Sequence, residues 1–535
     1  MKKITVLITI LISYFAYSQQ DAWVYFNAKP NATAFFANPL SELSQRSLDR
    51  RTVQNIALDS RDAPIHPQYI DQITASTGIT VMAKSKWLNA LHIRGSAQNI
   101  NALTINSFVD NVQFANYVLN PTSNKIALQN SNLENEAEQN LTTSFNYGNS
   151  NNQISMLNGH LLHQHNFTGA GKIIAVMDSG FPGVNTTQPF ARLRDSNKIL
   201  GGYDFVLRNQ NFYTSNSHGT MVLATMGGYT ENQLVGTAPD ASYYLFITEN
   251  ATTENPIEES LWVEAAEEAD RLGVDIINTS LGYFEYDNPA YSHTYSRMNG
   301  TTTFISRGAN IAFTRGMMVV VSAGNSGNSA NPNIAAPADA TNVLTVGAVD
   351  ANKNYVTFSS RGPSFDGRTK PDVMAKGLAS TVATPSGNIS TASGTSFSSP
   401  IVAGMVACLW QALPNKSATQ IMQMIKQSSD NFSTPNADLG FGIPDFAKAL
   451  NSSLNIQSST ESQFRAYPNP TTSIINLEIQ IMLENTEIKI FNNLGQLIIQ
   501  KKCNQKTESI SVENLPSGLY TYIINNNQQG KFLKH

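Results

Sequence analysis

Cysteine is almost missing: 535 residues hold two, Cys408 and Cys503. Each falls in an apolar stretch, and the two stretches read as different domains. Two buried thiols are therefore expected rather than a cross-link. A disulfide scaffold is excluded, so stability has to come from core burial, which a chain of this length supplies. Charge is also sparse, at 14% of residues and a net −4. No basic stripe or run of one sign occurs, so no nucleic-acid partner is expected. Internal repeats are missing, and no later segment reaches the length of a membrane-spanning helix.

What is present divides the chain. Residues 1–18 read as a secretory signal, with Lys2 and Lys3, an apolar stretch from Ile4 to Ile12, and Ala16-Tyr17-Ser18 as a small-residue cleavage site. Export is expected. Over residues 19–120, strand-like and helix-like stretches alternate as β-α-β-β-α-β, with strands near 22–26, 79–82, 90–93 and 109–114. That order makes a small α+β unit. An Asn/Ser/Gln-rich linker follows over 121–153. From 154 to 450 the pattern is α/β. Near-continuous apolar runs at Lys172–Met177, Val274–Asn278, Met318–Val321 and Val343–Gly347 alternate with helical stretches such as Glu258–Leu272. Runs of that kind predict a mainly parallel sheet covered on both faces. Functional groups gather at the carboxyl ends of such strands, where Asp178, Ser280 and Asn325 stand. A second polar linker, 451–462, leads into period-two alternation over 463–535, which predicts a small antiparallel β-sandwich.

Four residues suggest chemistry. Ser396 lies in Ser393-Gly394-Thr395-Ser396-Phe397-Ser398-Ser399-Pro400, directly ahead of an apolar helix whose free N–H groups favour nearby negative charge. A serine needs a base, a group to orient that base, and donors for the oxyanion. His218, in Ser217-His218-Gly219-Thr220, is the candidate base, and Asp178, closing a buried run, the candidate acid. Asn325, in Ala323-Gly324-Asn325, is the candidate oxyanion donor together with the Ser396 N–H. Singly, each also reads plainly: Ser396 as a helix cap, Asp178 as a turn cap, His218 as a loop residue, Asn325 as a left-handed turn. Together they fall in the chain order Asp, His, Ser, one of the known triad orders and the one used by subtilisin.

Residues from about 154 to 450 resemble the catalytic domain of the subtilases, a family of subtilisin-like serine peptidases. The matching stretches include Ile174–Gly180, Ser217–Thr220, Gly236–Pro239, Asn278–Gly282, Ser322–Asn325, Phe358–Pro363, Lys370–Val373 and Gly394–Ser396. The resemblance implies a three-layer α/β fold and a secreted endopeptidase that forms an acyl-enzyme. Ser396 is then the nucleophile, His218 the general base and acid, Asp178 the orienting carboxylate and Asn325 the oxyanion donor. Ser280, Leu281 and Gly282, with Ala323 and Gly324, become the substrate walls. Two departures stand out: Phe397-Ser398 where the family has Met-Ala, and Ala375-Lys376-Gly377 where it has Ala-Pro-Gly. Tyr283–Gly316 reads as an inserted loop near the groove.

Residues 19–120 are similar to the family's inhibitory propeptide. Residues 463–535 resemble the sorting domain of the type IX secretion system, through Tyr467-Pro468-Asn469-Pro470, Leu494-Gly495 and Leu515–Tyr520. The implied partners are protein or peptide substrates, the chain's own propeptide as a transient inhibitor, and the secretion machinery. The implied location is outside the outer membrane, released or surface-bound. No cofactor is required by the chemistry; a structural calcium is possible by family likeness, with no ligands named. The cluster His160, His163 and His165 reads as part of a solvated helix rather than a metal site. A rival reading is a binding protein on a decayed protease scaffold, which the filled catalytic positions argue against.

Overall fold

A computed structural model describes residues 19–120, 145–454, 464–479, 487–492, 496–502, 505, 507–524 and 528–535. The expected signal (1–18), Leu494-Gly495 and Cys503 lie outside the described residues. Two compact units result, one ending at Ser453 and one beginning at Leu454.

The first unit opens with four antiparallel strands, β1 (Gln19–Phe26), β2 (Ile79–Ser85), β3 (Ala90–Ser96) and β4 (Val109–Phe114), in the order β2-β3-β1-β4. Between β1 and β2 run α1 (Gln45–Val53) and α2 (Pro67–Thr74), and α3 (Ala97–Ala102) separates β3 from β4. Apart from α1 and a short helix before it, Ala32–Ala37, this is the expected β-α-β-β-α-β order.

The rest of the unit is built on seven parallel strands: β5 (Ile173–Asp178), β6 (Ile199–Asp204), β7 (Ser242–Ile247), β8 (Ile276–Thr279), β9 (Met318–Ser322), β10 (Leu344–Val349) and β11 (Val373–Lys376). Their order is β11-β10-β9-β8-β5-β7-β6. β5, β8, β9, β10 and β11 are buried on both faces, which is why the sequence shows unbroken apolar runs there instead of alternation, whereas the edge strand β6 is only partly covered. On one face lie α4 (His218–Gly227) and α7 (Thr395–Ala412), packed on Ile174 and Val176. On the other lie α5 (Ile257–Leu272) and α6 (Phe304–Thr314), packed on Ala175, Met177 and Ile277. The sequence writes α5 plainly: Glu258 and Glu259 in the first turn, Arg271 in the last, and Gly273 beyond it at φ 80°.

The N-terminal sheet sits on α5 and α6. Trp23 stacks on Phe304 with ring centroids 5.1 Å apart, and Trp23 and Trp87 join the core formed by Trp262 and Phe304. The Glu267 carboxylate accepts from the Ser85 hydroxyl at 2.6 Å and from the amides of Trp87 and Lys86 at 2.9 and 3.0 Å.

Three expectations change. Tyr283–Gly316 is not a free loop: it contains α6, whose cap Thr303 accepts from the Ser306 amide, and its first part packs on the N-terminal unit through Tyr291, His293 and Arg297. The helix bearing His160 and His163 is not solvated throughout. His163 is fully buried, bonded to the Tyr147 hydroxyl at 2.9 Å and the Thr237 carbonyl at 3.0 Å, and burial pushes its pKa down to about 4. Residues 145–153, within the expected linker, pack on the catalytic core through Tyr147 and Ser150. Cys408 is buried and unpaired.

The second unit has two antiparallel sheets. One orders Phe464–Tyr467, Ile474–Ile479 and Thr507–Ser511; the other orders Leu497–Lys502, Glu487–Phe491, Gly518–Ile524 and Gln528–Lys534. Alternate residues such as Ile475, Leu477, Ile488, Ile490, Tyr522 and Phe532 form its core. Among the described residues no helix is long and apolar enough to cross a membrane.

Candidate active site

The order of the parallel strands puts β5 between β7 and β8: the chain runs from β5 to β6 and β7 on one side, then crosses back past β5 to β8 on the other. The crevice beyond the carboxyl end of β5 is the natural place for a site. Asp178 ends β5 and is completely buried. Its Oδ1 accepts from the Ser179 amide at 2.7 Å, the Ser179 hydroxyl at 3.2 Å and His218 Nδ1 at 2.8 Å. Oδ2 is buried without a protein donor.

His218 is the first residue of α4, with its amide bonded to the Asn216 side-chain oxygen at 2.9 Å. Gly219 lets this helix start touch the strand end. A Cβ there would lie 2.5 Å from the Gly180 carbonyl and 3.0 Å from Asp178 Cβ. Burial lowers the His218 pKa, but the Asp178 charge and hydrogen bond outweigh it, and the imidazole ends above its ordinary 6.5. Because Nδ1–H donates to Asp178, Nε2 is the basic nitrogen of the neutral ring.

Ser396 is the second residue of α7 and is 7% exposed. Pro400 lies four residues on, inside the helix. It has no N–H, so the Ser396 carbonyl lacks its helical donor. The Ser280 hydroxyl takes that role at 2.9 Å. In return the Ser396 hydroxyl donates to the Ser280 carbonyl at 3.3 Å. Asn278 Nδ2 donates to the Ser280 hydroxyl at 3.2 Å, and Ser399 Oγ lies 3.2 Å from it. The Ser396 hydroxyl thus rests on the wall of the cleft instead of on the imidazole, which packs on the neighbouring Phe397 ring at 5.7 Å. Catalytic hydrogen bonds are commonly loose before substrate binds.

Asn325 follows β9 and is exposed. Its Oδ1 accepts from the Thr395 amide at 2.8 Å and the Thr395 hydroxyl at 3.0 Å. Oδ1 is thereby occupied, and Nδ2 remains as a donor beside Gly394 and the start of α7. Ala323 is buried and Gly324 donates its amide to Thr395 Oγ1 at 3.1 Å. On the facing segment Leu281 is half-buried and Gly282 exposed. Thr395, Ser179, Asn278 and Ser399 escaped the reading of the sequence. Thr395, Ser179 and Asn278 lie inside the family-like stretches and Ser399 in the octapeptide around Ser396, and that membership is the only signal the sequence carries for them.

One group of carboxylates among the described residues, Glu249, Glu254 and Glu258, has oxygens within 4.8 Å of one another. Oxygen-only ligands suit calcium. Yet Glu249 already accepts from the Tyr283 hydroxyl at 2.7 Å, and Glu258 from the Asn250 and Asn255 amides at 2.9 Å each. Burial raises Glu258 to about 8, which suits bound protons as well as an ion. Lys376, the departure in Ala375-Lys376-Gly377, closes β11 as a buried residue whose pKa burial lowers.

Residues 169–443 match the subtilase family, residues 21–133 the peptidase S8 propeptide domain of Bacteroidota, and residues 465–535 the secretion system C-terminal sorting domain. Subtilisin DY of Bacillus licheniformis is 30% identical over 280 residues, 52% of this chain and 90% of its own length. Subtilisin BL of Lederbergia lenta is 30% identical over 284 residues, 53% of this chain and 92% of its own. Serine protease AprX of Bacillus subtilis (strain 168) is 30% identical over 294 residues, 50% of this chain and 62% of its own. The chain belongs to the subtilase family of serine endopeptidases, with a Bacteroidota-type propeptide ahead of its catalytic part and a sorting domain for type IX secretion behind it.

Proposed function

We propose that the chain hydrolyses peptide bonds through Asp178, His218 and Ser396, with Asn325 and the Ser396 N–H as oxyanion donors. The observation that carries the reading is the 2.8 Å bond from His218 Nδ1 to a fully buried Asp178. It leaves Nε2 free to accept a proton at the mouth of the cleft.

An extended peptide adds along Ser280, Leu281 and Gly282, with Ala323 and Gly324 forming the opposite wall of the groove. Its backbone N–H competes for the Ser280 carbonyl and releases the Ser396 hydroxyl. The hydroxyl passes its proton to His218 Nε2 as Oγ bonds to the scissile carbonyl carbon. The oxygen that becomes negative is met by Asn325 Nδ2–H and the Ser396 N–H at the start of α7. Asp178 holds the ring in the required tautomer and stabilises its charged form. His218 then protonates the leaving amine, and the C–N bond breaks to give the acyl-enzyme. Water, deprotonated by the same nitrogen, releases the acid and regenerates the hydroxyl. This chemistry asks for no cofactor. Residues 19–120 act as an inhibitor until the connection after them is cut, and 463–535 carry the protein across the outer membrane.

A fluorophosphonate probe tests the assignment. Processed wild type is expected to be labelled and to hydrolyse casein, and Ser396→Ala to do neither. Labelling that persists in Ser396→Ala would reject it.

A further inference from the structure

Between β1 and α2 the propeptide sends out an arm of about forty residues (27–66) that adds no strand to its own sheet and joins that sheet's core only through Ile65. The arm runs to the end of the catalytic sheet where β8 and β9 begin, opposite the end that carries Asp178 and Ser280. There it meets the termini of helices. The last carbonyls of a helix have no partner within it, and the arm supplies donors. The Ser44 amide donates to the Arg271 carbonyl at 2.9 Å, and Arg46 Nε to the Gly273 carbonyl at 3.0 Å, both at the end of α5. Arg50 donates to the carbonyls of Val274 and Arg315, and Gln54 to that of Gly316 at 2.8 Å, beyond α5 and α6. Gln54 Oε1 also accepts from the Ala418 amide at 2.9 Å, at the start of the helix Ala418–Ser428.

Charges cross the same seam in both directions. Arg50 and Arg51 of the arm pair with Asp270 of the catalytic part, Arg51 at 2.6 Å. Asp59 and Asp62 of the arm pair with Arg315 of the catalytic part at 2.8 and 3.3 Å. Arg51, Asp62, Asp270 and Arg315 are each no more than 1% exposed. The guanidinium groups that answer Asp270 and the carboxylates that answer Arg315 all lie within residues 50–62 of the arm. None lies near the cleft.

We propose that residues 42–62 are an anchor independent of the cleft, which fastens the propeptide to the ends of α5 and α6 and sets how long it stays once the connecting segment is cut. This rests on the reading of residues 19–120 as a propeptide. Inhibition and retention are then separate properties: after the cut, the propeptide remains held at the far end of the sheet. Removing one side of a buried ion pair leaves the other charge stranded, so loss of the arginines acts on retention far more than does any change at the cleft end. Toward the connecting segment the propeptide touches the catalytic part through Tyr117, whose ring lies 2.9 Å from the Arg297 guanidinium and whose hydroxyl lies 3.3 Å from His293 Nδ1.

The test uses the full chain carrying Ser396→Ala, so that its own activity plays no part, with the recognition sequence of a specific exogenous protease placed within 121–144. The protein is immobilised by its C-terminus and cut, and release of the N-terminal fragment is timed at micromolar and nanomolar dilution. The Arg50→Ala/Arg51→Ala form is expected to release the fragment about 100-fold faster. Asp270→Asn, on the other side of the seam, is expected to do so about 10-fold faster, and Tyr117→Ala to change the rate less than either. Thermal unfolding before the cut shows whether each variant is folded. If the double variant is not, Asp270→Asn and the half-exposed Arg46→Ala decide the matter. Release at the wild-type rate in the folded arm variants, or faster release from Tyr117→Ala than from them, overturns the anchor. Because no step depends on Ser396, its failure is separate from failure of the catalytic assignment.

Discussion

The basicity of His218 is decided by a contest between burial and Asp178, and Asp178 wins. Below the raised pKa the ring is protonated and cannot accept the Ser396 proton; above it the ring is neutral. Activity is therefore expected to rise with pH through a midpoint above 6.5, measured as kcat/KM on a peptide substrate. Asp178→Asn should move that midpoint down and lower kcat at every pH. Asn325→Ala removes one oxyanion donor and is expected to cut kcat by about 10² to 10³ with little change in KM, as steady-state kinetics would show. These four residues are proposed from the sequence only as a set: each motif alone also reads as a cap, turn or loop, and it is the order Asp, His, Ser within the family-like stretches that singles them out. The Ser280 hydroxyl is different. Its bond to the Ser396 carbonyl spans 116 positions, and nothing local to Ser280 announces it. His163 misled for a like reason. A six-residue helix has too little pattern to reveal its buried face, and its partners Tyr147 and Thr237 lie far off in the chain.

At the scale of elements, α7 is buried along nearly its whole length and interrupted by Pro400. The Ser280 hydroxyl repairs that interruption, so Ser280→Ala strands a buried carbonyl. The expected cost is about 1–3 kcal/mol of stability, with kcat falling while KM holds, read by thermal unfolding and by kinetics. The start of α4 is equally tight: Gly219→Ala puts a methyl against the Gly180 carbonyl and moves His218 off its partner. A loss of about 100-fold in kcat/KM is expected, with the chain still folded by circular dichroism. Strands buried on both faces wrote themselves into the sequence as apolar runs. Their order did not, because parallel neighbours are joined through long crossovers. Helix α6 was hidden in a segment that begins with Tyr, Asn and Thr, and α1 gives only Leu48 to the small cluster of Phe35, Leu43 and Ala63, too little to impose a period.

The whole molecule shares one packing problem between the propeptide and the catalytic part. Trp23 is 2% exposed against Phe304 and the α5 helix. Trp23→Ala is expected to lower the stability of the uncut chain by about 3–5 kcal/mol and to leave the processed catalytic part unchanged, which calorimetry of the two forms would show. The second unit folds around a separate core. Deleting 463–535 should therefore leave peptidase activity intact and hold the protein within the cell envelope, as fractionation and a casein assay would reveal. The three-part plan was readable because each part has its own hydrophobic rhythm; the seam between propeptide and catalytic part was not, since buried charges look like surface charges in a sequence. Cys408 is enclosed and unpaired, and the chain has only one other cysteine. No covalent bridge within the chain is available to brace it outside the cell. Thiol reductants therefore have nothing to cut, and the enzyme should work equally well in sulfidic, oxygen-free surroundings and in air.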